Sequence, residues 1–155
     1  MEELQDMSEV QLLQTHSAVI TELNRRGVVK TKNNPIGDYT EWMVCNRLRL
    51  QRQGNSRAAF DAIDRQGVRY QIKSRCSEAS TVQFSPIRNL EQHGFDFVIA
   101  VVFNEDYSVR FAVMIPHDVV PSLARYQAHI NGHNLILTSN AVALEGVKDI
   151  SHMFL

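Results

Sequence analysis

The sequence has little cysteine, no long apolar run and almost no net charge. Its two cysteines, Cys45 and Cys76, lie far apart without metal-type spacing, which argues against a disulfide framework and for reduced packing residues. The longest apolar run, Phe97 to Phe103, is seven residues, where a membrane span takes about 20. The N-terminal MEELQDMSEV is acidic and has neither the basic start nor the apolar centre of a signal peptide. These absences point to a cytoplasmic protein with no membrane association. Internal repeats and low-complexity tracts are absent too, and 155 residues with 44% hydrophobic content suit a single domain over 1–155.

A net charge of −1 by itself speaks against a polyanionic partner, but the charge is segregated. Between Asn24 and Arg75 twelve Lys and Arg face four acids, a net of +8, which leaves −9 for the remainder. A basic tract on an otherwise acidic chain suits a surface that meets nucleic acid or an acidic protein. The competing reading is a solvated basic surface whose charges point in several directions.

Residues 8–26 read as an amphipathic helix, packed on the core, that starts at a Ser8/Gln11 capping box and stops at Gly27. Its apolar stripe is Val10, Leu13, Ile20 and Leu23, with Leu12 and Val19 beside them. A second helix runs from about Ile36 to Leu48. On it Glu41 shares a face with Val44, Cys45 and Leu48, so its carboxylate is aimed inward and needs a metal ion or a lysine as partner. The alternative is a rotated helix with Glu41 in solvent beside Arg49.

A basic loop with Gly54-Asn55-Ser56 as turn residues leads to two alternating runs, 58–64 and 68–75, which predict a hairpin. Loop length decides its register. A three-residue loop, Arg65-Gln66-Gly67, with Gly67 left-handed pairs Asp64 with Val68 and sets Asp61 opposite Gln71. A two-residue loop would set Asp61 beside Tyr70 instead. In the first register Arg69, Gln71, Lys73 and Arg75 share one strand face, and Tyr70, Ile72, Phe60 and Ala62 turn to core. Further on, the pattern predicts a short strand at 81–84, a helix at 86–93, a doubly buried strand at 95–103 and an antiparallel return at 108–115. A helix over 116–127, a last strand at 134–138 and a small C-terminal helix after Ser139 complete the prediction.

Glu41, Asp61 and Gln71 supply hard oxygen ligands suited to Mg²⁺ or Mn²⁺. Lys73 at the edge of that set could orient or deprotonate a water, or stabilise charge on a phosphorane. Arg49, Arg52, Arg57, Arg69 and Arg75 could hold backbone phosphates. Hydrolysis of a phosphodiester is the chemistry these residue types support. Asp64 is better read as a turn residue, Trp42 as packing, and His129 and His133 as loop residues, because Asn131-Gly132 between them breaks a helix.

An inward Glu41 on a helix, then "FDAID" with Asp61, then "YQIKSR" with Gln71 and Lys73 on the next strand, resembles the PD-(D/E)XK nuclease superfamily. The resemblance is strongest to its restriction-endonuclease-like, Mrr-type variants, which carry Gln in place of Glu. It implies an α/β, three-layer fold with a central mixed sheet and an antiparallel hairpin flanked by helices. It also implies Mg²⁺-dependent cleavage of DNA, often by homodimers. Carried over, Asp61 is the principal metal ligand, Gln71 the second, Glu41 an auxiliary ligand or water-holder and Lys73 the catalytic lysine. Two features depart from the family pattern: no proline precedes Asp61, and the neutral Gln71 leaves one charge fewer to hold a cation. The expected function is a metal-dependent DNA endonuclease of bacterial defence or DNA processing. The alternative is a nuclease-fold module that no longer cleaves and binds nucleic acid or a protein partner.

Overall fold

The computed structural model describes residues 3–54 and 59–155, so the expected Gly54-Asn55-Ser56 turn and Arg57 lie wholly or partly outside the described residues. Helix α1 spans Glu9–Arg25 and starts at the Ser8/Gln11 capping box. Helix α2 spans Ile36–Leu48. Strands β1 (Gln51–Arg52), β2 (Ala62–Ile63) and β3 (Arg69–Cys76) follow, then β4 (Val82–Ile87), β5 (Phe97–Phe103) and β6 (Val109–Pro116). A four-residue helix α3 (Val120–Leu123), β7 (Ala124–Gln127), β8 (Gly132–Leu137) and β9 (Lys148–Asp149) complete the chain. The architecture is mixed α/β. Six strands form a mixed sheet in the order β1-β2-β3-β5-β6-β9, and three form an antiparallel sheet in the order β4-β8-β7.

Strand β5 is the axis of the molecule. It is apolar throughout and pairs in parallel with β3, from Tyr70↔Phe97 to Cys76↔Phe103, and antiparallel with β6. Its alternate side chains enter two different cores. Val98, Ala100 and Val102 pack with Phe84, Ile87, Leu135 and Leu137 of the second sheet. Ile99, Val101 and Phe103 pack with Met43, Val44 and Cys45 of α2. Parallel strands need a crossover between them, and here the connection from β3 to β5 carries β4 into the second sheet.

The hairpin takes the register that Gly67 was expected to impose. Ala62 pairs with Tyr70 and Ile63 with Arg69, while the Asp64 amide donates to Val68 O at 3.0 Å. Gly67 has a φ of 83°, the left-handed value that its lack of a Cβ permits at little cost. The Asp64 carboxylate accepts from the amides of Gln66 and Val68, so it is the turn residue that was expected. By period two, Ile72 and Tyr70 turn to the α2 side, and Gln71 and Lys73 turn to the second sheet.

Four expectations fail. Of the α1 stripe only Ile20 is buried; Val10 (58%), Leu13 (69%) and Val19 (52%) stay exposed. The helix meets the body through Ile20 and Leu23, which pack with Val28, Val29, Tyr39 and Trp42 near its C-terminal end. The helix expected at 86–93 is instead the end of β4 plus a 3₁₀ turn at Leu90–Gln92. Pro86 is tolerated there because β4 is an edge strand with a register shift between Gln83 and Pro86. The helix expected at 116–127 shrinks to a 3₁₀ turn and α3, since 124–127 gain more by pairing with β8, from Ala124↔Leu135 to Gln127↔Gly132. Phe60 packs with the second-sheet core rather than joining Ala62 on the helix side. No helix among the described residues is long and apolar enough to cross a membrane.

A Cβ at Gly67 would meet nothing within 4 Å, so substitution there costs only backbone conformation. Gly67→Ala should lower stability by about 1 kcal/mol, and Gly67→Asn by less, because Asn tolerates left-handed φ. Urea unfolding of the three proteins measures both differences, and equal stabilities would show that the turn does not need the glycine.

Candidate active site

The regular ladder of the hairpin ends just before Asp61. The Asp61 amide donates to Tyr70 O at 2.8 Å, and its carboxylate Oδ2 accepts from the Ile72 amide at 2.7 Å. Tyr70 is already the ladder partner of Ala62, so the chain is irregular at Asp61 and the expected pairing of Asp61 with Gln71 does not form as a continuation of the ladder. Its side chain is half-buried. Burial pushes its carboxyl up to about 6; the Ile72 hydrogen bond opposes the rise, the Glu41 charge adds to it, and Lys73 and Lys30 oppose it. Asp61 therefore senses charges from both sides of the sheet.

Lys73 approaches from the second-sheet side. Its Nζ donates to Ser85 Oγ and to Pro86 O, both at 3.0 Å. Burial lowers its pKa, Asp61 works against the fall and Arg88 adds to it. An ammonium has three N–H donors, and two are committed to β4. The third has no acceptor among the described residues. Nothing local in the sequence marks Ser85 or Pro86 for this role, because their position depends on β4 leaving the main sheet.

Glu41 does turn inward, and its partners are basic. Its Oε2 lies 3.1 Å from Arg52 Nε and 3.7 Å from Lys30 Nζ. Arg52 pairs with Ala62 across the β1–β2 ladder and so faces α2 by alternation. Its guanidinium also donates to Asp38 O at 3.0 Å, and its side chain is 16% exposed. Arg52 was expected on the nucleic-acid surface; it is instead the internal counter-ion of α2. Arg69 also has an acidic partner, Asp96. It bonds the Asp96 carboxylate and His93 O, which ties β3 to the segment before β5. Sequence reasoning missed Lys30, which also donates to Gln53 O at 2.9 Å and reaches this cluster from the linker before α2.

Gln71 opens into a cleft of about 470 Å³ with Arg88, Asn89, Gln92 and Gly94 on its walls. Its side-chain amide makes no hydrogen bond to another described residue. Arg49 is exposed and caps α2 in the left-handed conformation. Arg75, also exposed, lines a separate cleft of about 370 Å³ with Asn34 and Tyr107, beyond Lys73 along β3. Arg57 lies outside the described residues. Of the expected set, Lys73 and Glu41 come within electrostatic reach of Asp61, and Gln71 shares with Lys73 the face of β3 that opens towards the second sheet.

A solved bacterial homing endonuclease, I-Ssp6803I, is similar to the chain at 19% sequence identity and a TM-score of 0.45, over 81% of this chain and 86% of that one. No family model matches the chain, and no curated protein does so.

Two predictions follow from the charges. An acid whose pKa is higher folded than unfolded binds more protons when folded, so its contribution to stability is full below about pH 4 and is lost as pH rises through about 6. Asp61→Asn keeps an acceptor for the Ile72 amide. It should raise stability at pH 8 by up to about 3 kcal/mol, and hardly at all at pH 4. Chemical denaturation across that range, without divalent metal, reads the difference. Arg52→Met leaves Glu41 and Asp38 without their shared partner and should cost about 1–3 kcal/mol; a loss below about 0.5 kcal/mol would show that the cluster is solvated.

Proposed function

We propose that the chain is a metal-dependent endonuclease that hydrolyses DNA phosphodiester bonds, built on a PD-(D/E)XK-like domain. The observation that supports this reading is the half-buried Asp61 carboxylate at the end of the hairpin ladder, bonded by the Ile72 amide and within electrostatic reach of Lys73, whose Nζ is held by Ser85 and Pro86. Perturbed groups of this kind cluster at functional sites.

The donor set fits a hard divalent cation such as Mg²⁺ or Mn²⁺. Among the described residues Asp61 Oδ1 accepts no hydrogen bond, and the Gln71 amide oxygen is likewise unengaged. A cation beside Asp61 would offset the desolvation that raises its pKa. Asp61 and Gln71 would hold the ion, with Glu41 as a more distant contributor because Arg52 and Lys30 already neutralise it. Bound there, the ion would lower the pKa of a water and stabilise charge on the phosphate. Lys73, fixed by Ser85 and Pro86, would direct its remaining N–H at the attacking water or at a non-bridging phosphate oxygen. Arg88, Arg49 and Arg75 would meet backbone phosphates. Cutting both strands of a duplex takes two such sites, which two copies of the chain would supply.

One observation favours a second reading. With Gln71 neutral and Glu41 paired to Arg52, Asp61 is the only uncompensated carboxylate of the set. A domain that keeps the fold and the basic tract but only binds nucleic acid would show the same pairing. Plasmid nicking separates the two. The wild-type protein with Mg²⁺ or Mn²⁺ should nick supercoiled DNA, and Asp61→Ala and Lys73→Ala should each lower the rate by about 10²-fold or more without lowering the melting temperature. Salt-sensitive DNA binding with no cleavage across metals would support the binding module instead.

A further inference from the structure

We propose that His93, His117 and Asp118 form a binding site for a transition-metal ion, Zn²⁺ in the first instance, separate from the Asp61 site and independent of the hydrolytic reading. The three residues come from two segments that the fold brings together: the connection between β4 and β5, and the turn that follows β6. One donor atom from each lies within 4.8 Å of the other two.

The decisive group is His117, whose side chain is only 11% exposed. Its Nε2 lies 2.7 Å from Leu90 O. A carbonyl can only accept, so Nε2 carries the proton and Nδ1 of the neutral ring holds a lone pair. Nδ1 is buried without a hydrogen-bond partner, the one such side-chain atom among the described residues. Asp118 Oδ1 stands 3.6 Å from it. A lone pair and a carboxylate facing one another call for a cation between them. A proton on Nδ1 would meet that demand poorly, since 3.6 Å exceeds hydrogen-bond length and would leave a buried imidazolium. A metal ion meets it better. The bond to Leu90 O is the backbone partner that orients a ligating histidine through its other nitrogen.

The geometry can close around an ion. The His93 ring stacks on His117 with centroids 3.8 Å apart and planes 26° from parallel, so it must swing out of the stack to ligate. Its side chain is 51% exposed and that of Asp118 is 90% exposed. Both can therefore move by the ~1 Å or more that would bring them to the spacing of tetrahedral ligands about 2 Å from the ion. Two imidazoles and one carboxylate select zinc over magnesium and leave a fourth position for water. The Asp96 carboxylate, 3.9 Å from His93 Nε2 and tied to Arg69, adds negative potential. A metal here would staple the 89–96 connection to the end of β6. That connection supplies Gln92 and Gly94 to the wall of the Gln71 cleft, so the ion would stiffen the wall without entering the cleft.

Metal-free protein titrated with Zn²⁺ by calorimetry, and with Co²⁺ by visible absorption, tests the site. Asp61→Ala should bind one equivalent with the spectrum of a four-coordinate nitrogen–oxygen site, the wild type should bind that same equivalent, and Zn²⁺ should raise the melting temperature of each. His93→Ala and Asp118→Asn should each weaken binding about tenfold or more, and His117→Gln more still. If His117→Gln does not fold, the other two variants decide, because their side chains are exposed. Absence of this equivalent from the wild type, or unchanged affinity in His93→Ala and Asp118→Asn, would overturn the proposal.

Discussion

Burial of β5 on both faces is the constraint from which the other features follow. A strand that is apolar at every position cannot lie at a surface, so each side of the sheet must be covered. Helix α2 covers one side and the antiparallel β4-β8-β7 sheet the other. β3 runs in register beside β5 and inherits this double cover, yet it carries polar residues at alternate positions. Ile72 meets its side of the core without conflict. Lys73 meets the other side as a desolvated ammonium and depends on Ser85 and Pro86 of β4 for partners. The lysine is perturbed because its neighbour strand is a core strand.

The two faces handle charge differently. On the helix side the carboxylates Glu41 and Asp38 share Arg52, so this layer is internally neutralised and structural in character. On the second-sheet side Lys73 has hydrogen bonds but, among the described residues, no ion-pair partner in contact. Asp61 lies between the two, at the point where the hairpin ladder gives out, and burial pushes its carboxyl up. The perturbed groups therefore gather where sheet regularity ends. The 89–96 connection repeats the pattern. A short segment outside the ladders carries Arg69's partner Asp96, the wall of the Gln71 cleft and His93.

Much of this was legible along the chain. Capping and periodicity place α1 and α2 to within a residue of their ends, and an unbroken apolar run identifies β5. Gly67 settles the register of the hairpin as far as the pair of Ala62 and Tyr70, beyond which the ladder breaks at Asp61. Less legible were the elements whose state depends on distant partners. Residues 124–127 look helical until β8 is beside them, and Pro86 reads as the start of a helix although it sits in an edge strand. The apolar stripe of α1 was visible, but the length over which the body would cover it was not. Arg52 and Arg69 illustrate the limit for site residues: composition marks them as basic, and only their tertiary neighbours show that their guanidinium groups are already occupied.

By itself the sequence determined the local geometry of this protein: which residues form the two helices, where the turn needs a left-handed glycine, and which side chains alternate on β3. Those properties rest on steric and hydrogen-bonding rules that act within a few residues. Only the tertiary structure decided which charges are neutralised. Lys30 reaches Glu41 across 11 residues, Ser85 meets Lys73 across 12, and His117 meets Leu90 across 27. Desolvation and pairing depend on what is packed above and below the sheet. That packing was settled by the second sheet, which joins segments distant in the chain, as in the bond from Asn134 to Phe84 O across 50 residues.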